Sequence, residues 1–304
     1  MKRTIFALAV LIVAAPLMAI TFGTSTVTNG SSWTESSQYG SSIDITVDNG
    51  MGVGNPNNAT LPDSHRETSI QRTKTITVTQ MQGQRIGGFT VSYSLVKIGG
   101  QDMTSTFAGK TYAIDINGNH VNTVTYADNS EVPAAELAFV QSDNSNIAQV
   151  RAMADAIGGE SVDINGSLSA KNIDDLFDVQ SGFSVDSYSM TLNSVTGGVA
   201  TFDVTLQISG DVKKAKGKGQ TAPAPFSTSG LHLSLAGPLH ADVSTGRVLD
   251  FTLSGNASAN GQKEAHGTDK HGNDIVGKKG DGSHSRSMSI SVNGTATLGA
   301  TFTY

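Results

Sequence analysis

In the last third of the chain the side chains alternate between apolar and polar with a period of two. Phe202, Val204, Leu206 and Ile208 are interleaved with Asp203, Thr205, Gln207 and Ser209. Leu231, Leu233, Leu235, Leu239, Ala241 and Val243 hold one phase, and Leu249, Phe251 and Leu253 run back. Met288, Ile290, Val292, Ala296, Leu298, Ala300, Phe302 and Tyr304 keep one phase to the last residue. Successive side chains of a strand point to opposite faces, so this pattern specifies antiparallel sheet with one dry and one wet face. Thr196-Gly197-Gly198 and Ser244-Thr245-Gly246 supply the turns. Pro238, which cannot donate a ladder hydrogen bond, predicts an edge strand or a bulge.

The same period governs the stretch from residue 66. Ile70, Ile76 and Val78 alternate with Thr and Lys, Phe89, Val91, Tyr93 and Leu95 share a face, and so do Tyr112, Ile114 and Ile116 ahead of an Asn117-Gly118 turn. Residues 132–159 break the pattern. Pro133 near a first turn, an alanine-rich body and a Gly158-Gly159 stop read as helix, split by the polar run 142–146. A short helix, KNIDDLFDV, follows. A dry sheet face must be covered, and residues 133–178 are the cover within the chain. The expected fold is therefore mainly β (α+β): a strongly curved antiparallel sheet, or open half-barrel, wrapped over a few helices. Residues 66–304 form one β-rich domain with a helical insertion at about 133–178. Residues 20–65, rich in Ser, Thr, Gly and Asn, read as a flexible arm with at most one strand. AGKTYAIDING and AGPLHADVSTG match each other closely enough to hint at a duplication.

The N-terminus, MKRTIFALAVLIVAAPLMA, has the order of a secretory signal peptide. Lys2 and Arg3 form the basic region, Ile5 to Ala15 the apolar region, and cleavage is expected after Ala19. The apolar run is too short for a comfortable membrane span, and no cysteine follows it, which excludes a lipid-anchored lipoprotein. Removing residues 1–19 leaves 18 basic against 26 acidic residues, a net charge of −8. An acidic exported chain is a poor nucleic-acid binder. Without cysteine there is neither a disulfide framework nor thiolate chemistry.

Three segments, IGGESVDINGSLSAKNIDDLF, VTGGVATFDVTLQISG and GPLHADVSTGRVLDFTLSG, together resemble a group of uncharacterised bacterial exported proteins. In these a v-v-G-s strand precedes a short helix, and a G-x-A-x-f-x-v strand and a vd-x-x-TGR hairpin follow. More distantly, the curved sheet with inserted helices is similar to the lipoprotein-carrier (LolA/LppX-like) architecture, over roughly residues 66–304. The second resemblance implies a sheet concavity that takes a lipid or other amphiphile. This chain departs from it in lacking a lipobox cysteine, and a fold by itself transfers no activity.

Candidate sites lie in the loops. His266, His271 and His284, with Asp269, Asp274 and Asp281 among them, are residue types that suit zinc, copper or nickel. A metal-binding module through 266–284 is one reading. The other is a polar hairpin loop, because a glycine-rich stretch fixes no ligand geometry and offers no second shell. No cofactor is implied. Lys213, Lys214, Lys216 and Lys218 stand in a second loop, 210–227. Strand directions bring it to the same end of the sheet as Lys263, Lys270, Lys278, Lys279 and Arg286. Lys213, Lys214, Lys216, Lys218, Lys278 and Lys279 would form a basic rim for anionic headgroups, or two solvated loops. The terminal TLGATFTY looks like the β-signal of an outer-membrane barrel, which makes an integral barrel the alternative. One Trp and six Tyr are few for two aromatic girdles.

No G-x-S-x-G, H-E-x-x-H or P-loop pattern occurs. Asp174-Asp175 reads as the wet face of a helix, and His232, His240 and Asp242 as the polar face of one strand. The expectation is a non-enzymatic envelope protein, periplasmic or extracellular, that meets an amphiphile or an envelope protein partner.

Overall fold

The computed structural model describes residues 19–48, 64–83, 85–117, 120–145, 157–169, 177, 183–210, 230–265 and 286–304. Its elements, in chain order, are β1 (Ile20–Thr21), β2 (Ser32–Asp48), β3 (Ser64–Gln82), β4 (Arg85–Ile98), β5 (Gln101–Asp102), α1 (Thr104–Phe107), β6 (Thr111–Asn117), β7 (His120–Tyr126), α2 (Ala134–Asp143), β8 (Ser161–Val162), β9 (Phe183–Thr196), β10 (Val199–Gly210), β11 (Leu231–Asp242), β12 (Val248–Ala265) and β13 (Arg286–Thr303). One antiparallel sheet of 11 strands runs β7-β6-β4-β3-β2-β13-β12-β11-β10-β9, with β5 appended to β4. It does not close on itself: β7 and β9 are its edges. β1 and β8 make a separate two-stranded ladder. The protein is mainly β, as the alternation requires.

The phase read from the sequence is the phase of the core. Phe202, Val204 and Leu206 of β10, Leu235, Leu239 and Ala241 of β11, Phe251 and Leu253 of β12, and Ala296, Ala300 and Phe302 of β13 are all buried. So are Phe89, Val91 and Tyr93 of β4 and Tyr112, Ile114 and Ile116 of β6. Phe107 of α1 and Val140 of α2 are buried in the same cluster, which places both helices on the concave face. The opposite face carries hydroxyl pairs across strands. Ser32 meets Thr77 at 2.9 Å, Thr34 meets Thr75 at 3.1 Å, and Ser189 meets Thr205 at 2.7 Å.

Glycines set the curvature. A Cβ on Gly237, Gly255 or Gly294 would overlap the backbone carbonyl oxygen of Thr252, Ser234 or Ser42 on the adjoining strand. Only a residue without a side chain lets β11 approach β12, and β13 approach β2, this closely, and such glycines are where a sheet bends. The Gly197-Gly198 turn has φ of +60° and +83°. It closes β9 onto β10 between Thr196 and Val199 in the two-residue form that matches strand twist.

Three expectations are corrected. The supposed arm over 20–65 supplies β2, a 17-residue strand in the middle of the sheet between β3 and β13. Its composition misleads because Ser32, Thr34 and Ser36 belong to its wet face, where they pair with hydroxyls of β3, while Trp33 and Glu35 point inward and are buried. Pro238 sits on neither an edge nor a bulge, because β11 is flanked by β10 and β12. The β11–β12 ladder omits Gly237 and Pro238 and resumes in the same register, from Ala236↔Ser254 to Leu239↔Phe251. At the β12 turn a register shift after His240 pairs Ala241 with Val248, so Val248 rather than Leu249 is buried.

The helical stretch is described in part. α2 ends at Asp143, inside the polar interruption. Residues 146–156 and 170–176, where a second and a third helix are expected, lie outside the described residues. Residues 165–168 lie along the β9 edge, with Asn165 N–H donating to Leu192 O at 2.7 Å and Leu168 N–H to Met190 O at 2.8 Å. They cover that edge around Met190–Leu192.

Candidate functional site

Two inward positions of β3 hold cations. Arg72 and Lys74 share the phase of Ile76 and Val78, and Lys74 lies directly between Glu35 on β2 and Tyr93 on β4. Burying an ion costs several kcal/mol, on the order of what a whole domain gains from folding, unless it is paired and hydrogen-bonded. The sheet alone cannot complete the pairing, and the C-terminal end of α2 does so. Lys74 Nζ donates to Asp143 Oδ2 at 3.1 Å and to Asn144 Oδ1 at 3.3 Å. Arg72 donates to Asp143 Oδ1 through Nη1 and to Glu35 Oε1 at 3.2 Å through Nη2. Tyr93 OH donates to Asp143 Oδ2 at 2.9 Å. The Asp143 side chain is only 2% exposed and that of Lys74 4%. Among the described residues two carboxylates, Glu35 and Asp143, face two cations, Arg72 and Lys74.

Burial by itself would raise the Asp143 carboxyl. The charges of Lys74 and Arg72 outweigh it and hold Asp143 below the usual aspartate range. Burial, reinforced by the neighbouring Asp143, pushes the Tyr93 phenol well up, so it remains a donor. The cluster also finishes the helix. Lys74 Nζ reaches the Asp143 carbonyl at 3.3 Å, and Asn144 Nδ2 donates to Val140 O at 2.8 Å. Carbonyls at a helix end otherwise lack partners, and a carboxylate there opposes the helix dipole, so Asp143 depends on these cations.

A second cluster holds the other end of α2. Glu136, in the first turn, accepts from Lys110 Nζ at 2.7 Å, Tyr112 OH at 2.8 Å and Tyr126 OH at 2.9 Å. Burial works against its charge, but the three donors win and lower its pKa. The inner face of α2 thus reads Glu136, Val140 and Asp143/Asn144, acid at both ends and apolar in the middle. Between the two clasps Phe139 rests on rings of the sheet side, 4.7 Å from Phe107 and 5.5 Å from Tyr93. The carboxylates are saturated with donors. The arrangement holds a helix on an aromatic floor.

Sequence reasoning missed this cluster. The signal was present: Arg72 and Lys74 occupy the dry phase between Ile70 and Ile76, and Glu35 follows Trp33 in the dry phase of β2. A charge in a dry phase announces a buried partner.

The residues singled out from the sequence fall elsewhere. Lys213, Lys214, Lys216, Lys218, Lys278, Lys279, His266, His271 and His284 lie outside the described residues. The strand ends that carry their loops are described. Gly210 pairs with Leu231, Leu231 with Ala259, and β12 and β13 continue to Ala265↔Arg286, so both connections leave one end of the sheet. His240 turns to Asp250, with Nδ1 2.6 Å from Oδ1, rather than to Asp242. The Asp242 carboxylate instead accepts from Ser244 Oγ at 2.6 Å and from Thr245 N–H at 2.8 Å, which shapes the turn and lowers its pKa. Among the described residues no three His, Asp or Glu side chains are grouped to hold a metal ion. At the C-terminus Phe302 is in the core, and Tyr304 donates to Val248 O at 2.9 Å beneath the Arg247 guanidinium.

No family model matches the chain, and no curated protein matches it. Among solved structures it is similar to the InvG secretin domain β-barrel from the Salmonella SPI-1 injectisome NC-base, at 8% identity. The match covers 89% of this chain and 61% of that one, with a TM-score of 0.16, too low to carry an argument.

Proposed function

We propose that this chain is an exported, soluble, non-enzymatic envelope protein whose curved sheet binds or shields an apolar or amphiphilic ligand. One observation carries the reading: the two faces of the sheet differ in kind. The convex face carries Ser and Thr hydroxyls and a Gln amide that hydrogen-bond across strands. Water suits such a face and hydrocarbon does not, which favours a soluble protein over a lipid-facing barrel. The concave face is apolar apart from the buried Glu35, Arg72 and Lys74, and α2 lies over it with charged ends and a short apolar middle. The ligand class follows from the aromatic and aliphatic floor beneath it.

Native mass spectrometry of the protein purified from the cell envelope tests this. A lipid-sized adduct that disappears on delipidation is the expected result. A clean apo mass would overturn ligand binding, and recovery solely in a detergent-soluble membrane pellet would overturn the soluble reading.

A further inference from the structure

The segment that follows the leader is woven into the fold. Ile20 and Thr21 pair with Val162 and Ser161. Phe22 N–H donates to Glu160 O at 2.8 Å, Gly159 N–H donates to Phe22 O at 3.1 Å, and Gly23 N–H donates to Val243 O at 2.8 Å. Phe22 is 1% exposed, with its ring 5.7 Å from Phe202. Gly23, Gly158 and Gly246 meet where three distant parts of the chain cross. A Cβ on Gly23 would overlap the Ser244 carbonyl, and one on Gly246, whose φ is +67°, would crowd Gly23 O and Gly158. The leader pattern puts its junction at Ala19–Ile20, so the scissile bond directly adjoins a paired strand and lies two residues from a buried ring.

We propose that Ala19–Ile20 is a processing site open to hydrolysis only before the domain closes, and that folding then seals the new N-terminus into β1 against β8. This rests on the export reading. Water adds across the peptide bond: its hydroxyl goes to the Ala19 carbonyl carbon, leaving a carboxylate, and the nitrogen of Ile20 leaves as the amine. Peptidases hold substrate as an extended strand through its backbone groups on both sides of the bond. On the Ile20 side those groups are already engaged with residues 159–162 and 243. Cutting the folded chain would require β1 to detach and Phe22 to leave the core, a local unfolding. The partners of β1 lie far along the chain, so the seal cannot form until residues 157–162 and 243–246 are available. Connectivity therefore delays closure and leaves an interval in which the bond is open to cleavage.

The full-length precursor, purified in detergent, would be treated with leader peptidase either folded or during dilution from urea, with the products read by intact mass. The expected new N-terminus is Ile20, released about a hundredfold more slowly from the folded precursor, the penalty of a local opening equilibrium. Gly23→Leu, which cannot seat against Ser244, should bring the folded rate up to the unfolded one. Phe22→Ala, which keeps the backbone clamp but loses the buried ring, should give an intermediate rate if Gly23→Leu does not fold. Equal rates for folded and unfolded wild type, or an exported chain beginning at another residue, would overturn the proposal alone. Uncut chain confined to the cytoplasm would overturn the export reading and this proposal with it.

Discussion

Replacing Asp143 with alanine removes from Arg72 and Lys74 the carboxylate they share and leaves them their pairing with Glu35. The expected loss is about 3–5 kcal/mol, read from the midpoint of urea unfolding, because a buried charge is left short of its partner. Exchanging Glu35, Arg72, Lys74 and Asp143 together for apolar residues of similar volume should cost far less, since no orphaned ion remains. Tyr112→Phe removes one of three donors to Glu136 and should cost about 1.5 kcal/mol. The pH dependence has a definite sign at both ends. Asp143 and Glu136 have lowered pKa values, so the stability they confer is complete above the ordinary carboxylate range and is lost as pH falls through the folded values. Tyr93 and Tyr112 are raised, so their contribution is complete below the ordinary phenol range and is lost as pH climbs above it. Unfolding free energy measured across pH should therefore fall below about pH 4 and above about pH 10, and Asp143→Asn should flatten the acid limb.

At the scale of elements, α2 and the glycine crease behave differently. α2 is held at its two ends by charge and in its middle by Val140 and Phe139, so acid should free it before the sheet unfolds. Hydrogen exchange at about pH 3–4 should show amides of residues 134–143 losing protection while those of β10–β12 keep theirs. Simultaneous loss in both would show that the clasps do not act as a separate unit. The crease is stiffer. Gly255→Val places a side chain on the Ser234 carbonyl, and neither strand can retreat because each is paired on both sides. Its cost should be about 3 kcal/mol or more, seen as a lowered thermal midpoint.

For the whole molecule, the test is which face meets water. Thr205→Lys on the convex side of β10 should leave the protein soluble and change stability by less than about 0.5 kcal/mol. Were that face turned to lipid, the same lysine would cost about 2–4 kcal/mol near the bilayer midplane and disturb membrane recovery. The neighbouring Phe202→Lys, inward and fully buried, should abolish folding in either setting. Fractionation and unfolding of the two variants distinguish the cases. The topology adds a kinetic expectation. β2 pairs with β13 across most of the chain and β1 with β8 across 140 residues, so refolding should be slow for the size, in the range of about milliseconds to seconds or longer.

The period-two alternation was enough to name the strands of the last third, most of their inward residues, the Gly197-Gly198 turn and the need for a cover, because side-chain direction along a strand is a local property; Leu249 was misplaced because the register shift after His240 depends on the partner strand. It also marked 142–146 as the end of a helix. What it could not convey was partnership. That the polar stretch 32–48 is a central strand depends on β3 and β13 being there to pair with it. That Arg72 and Lys74 can sit inside depends on Asp143, some seventy residues away, arriving above them on α2. Pro238 is tolerated in an interior strand because the ladder on one side opens without losing register, a fact about β12 as much as about β11. Local chemistry decides which way a side chain points. Only the assembled sheet decides what it meets there, and for buried charge and close-packed glycine the meeting is the whole of the energetics.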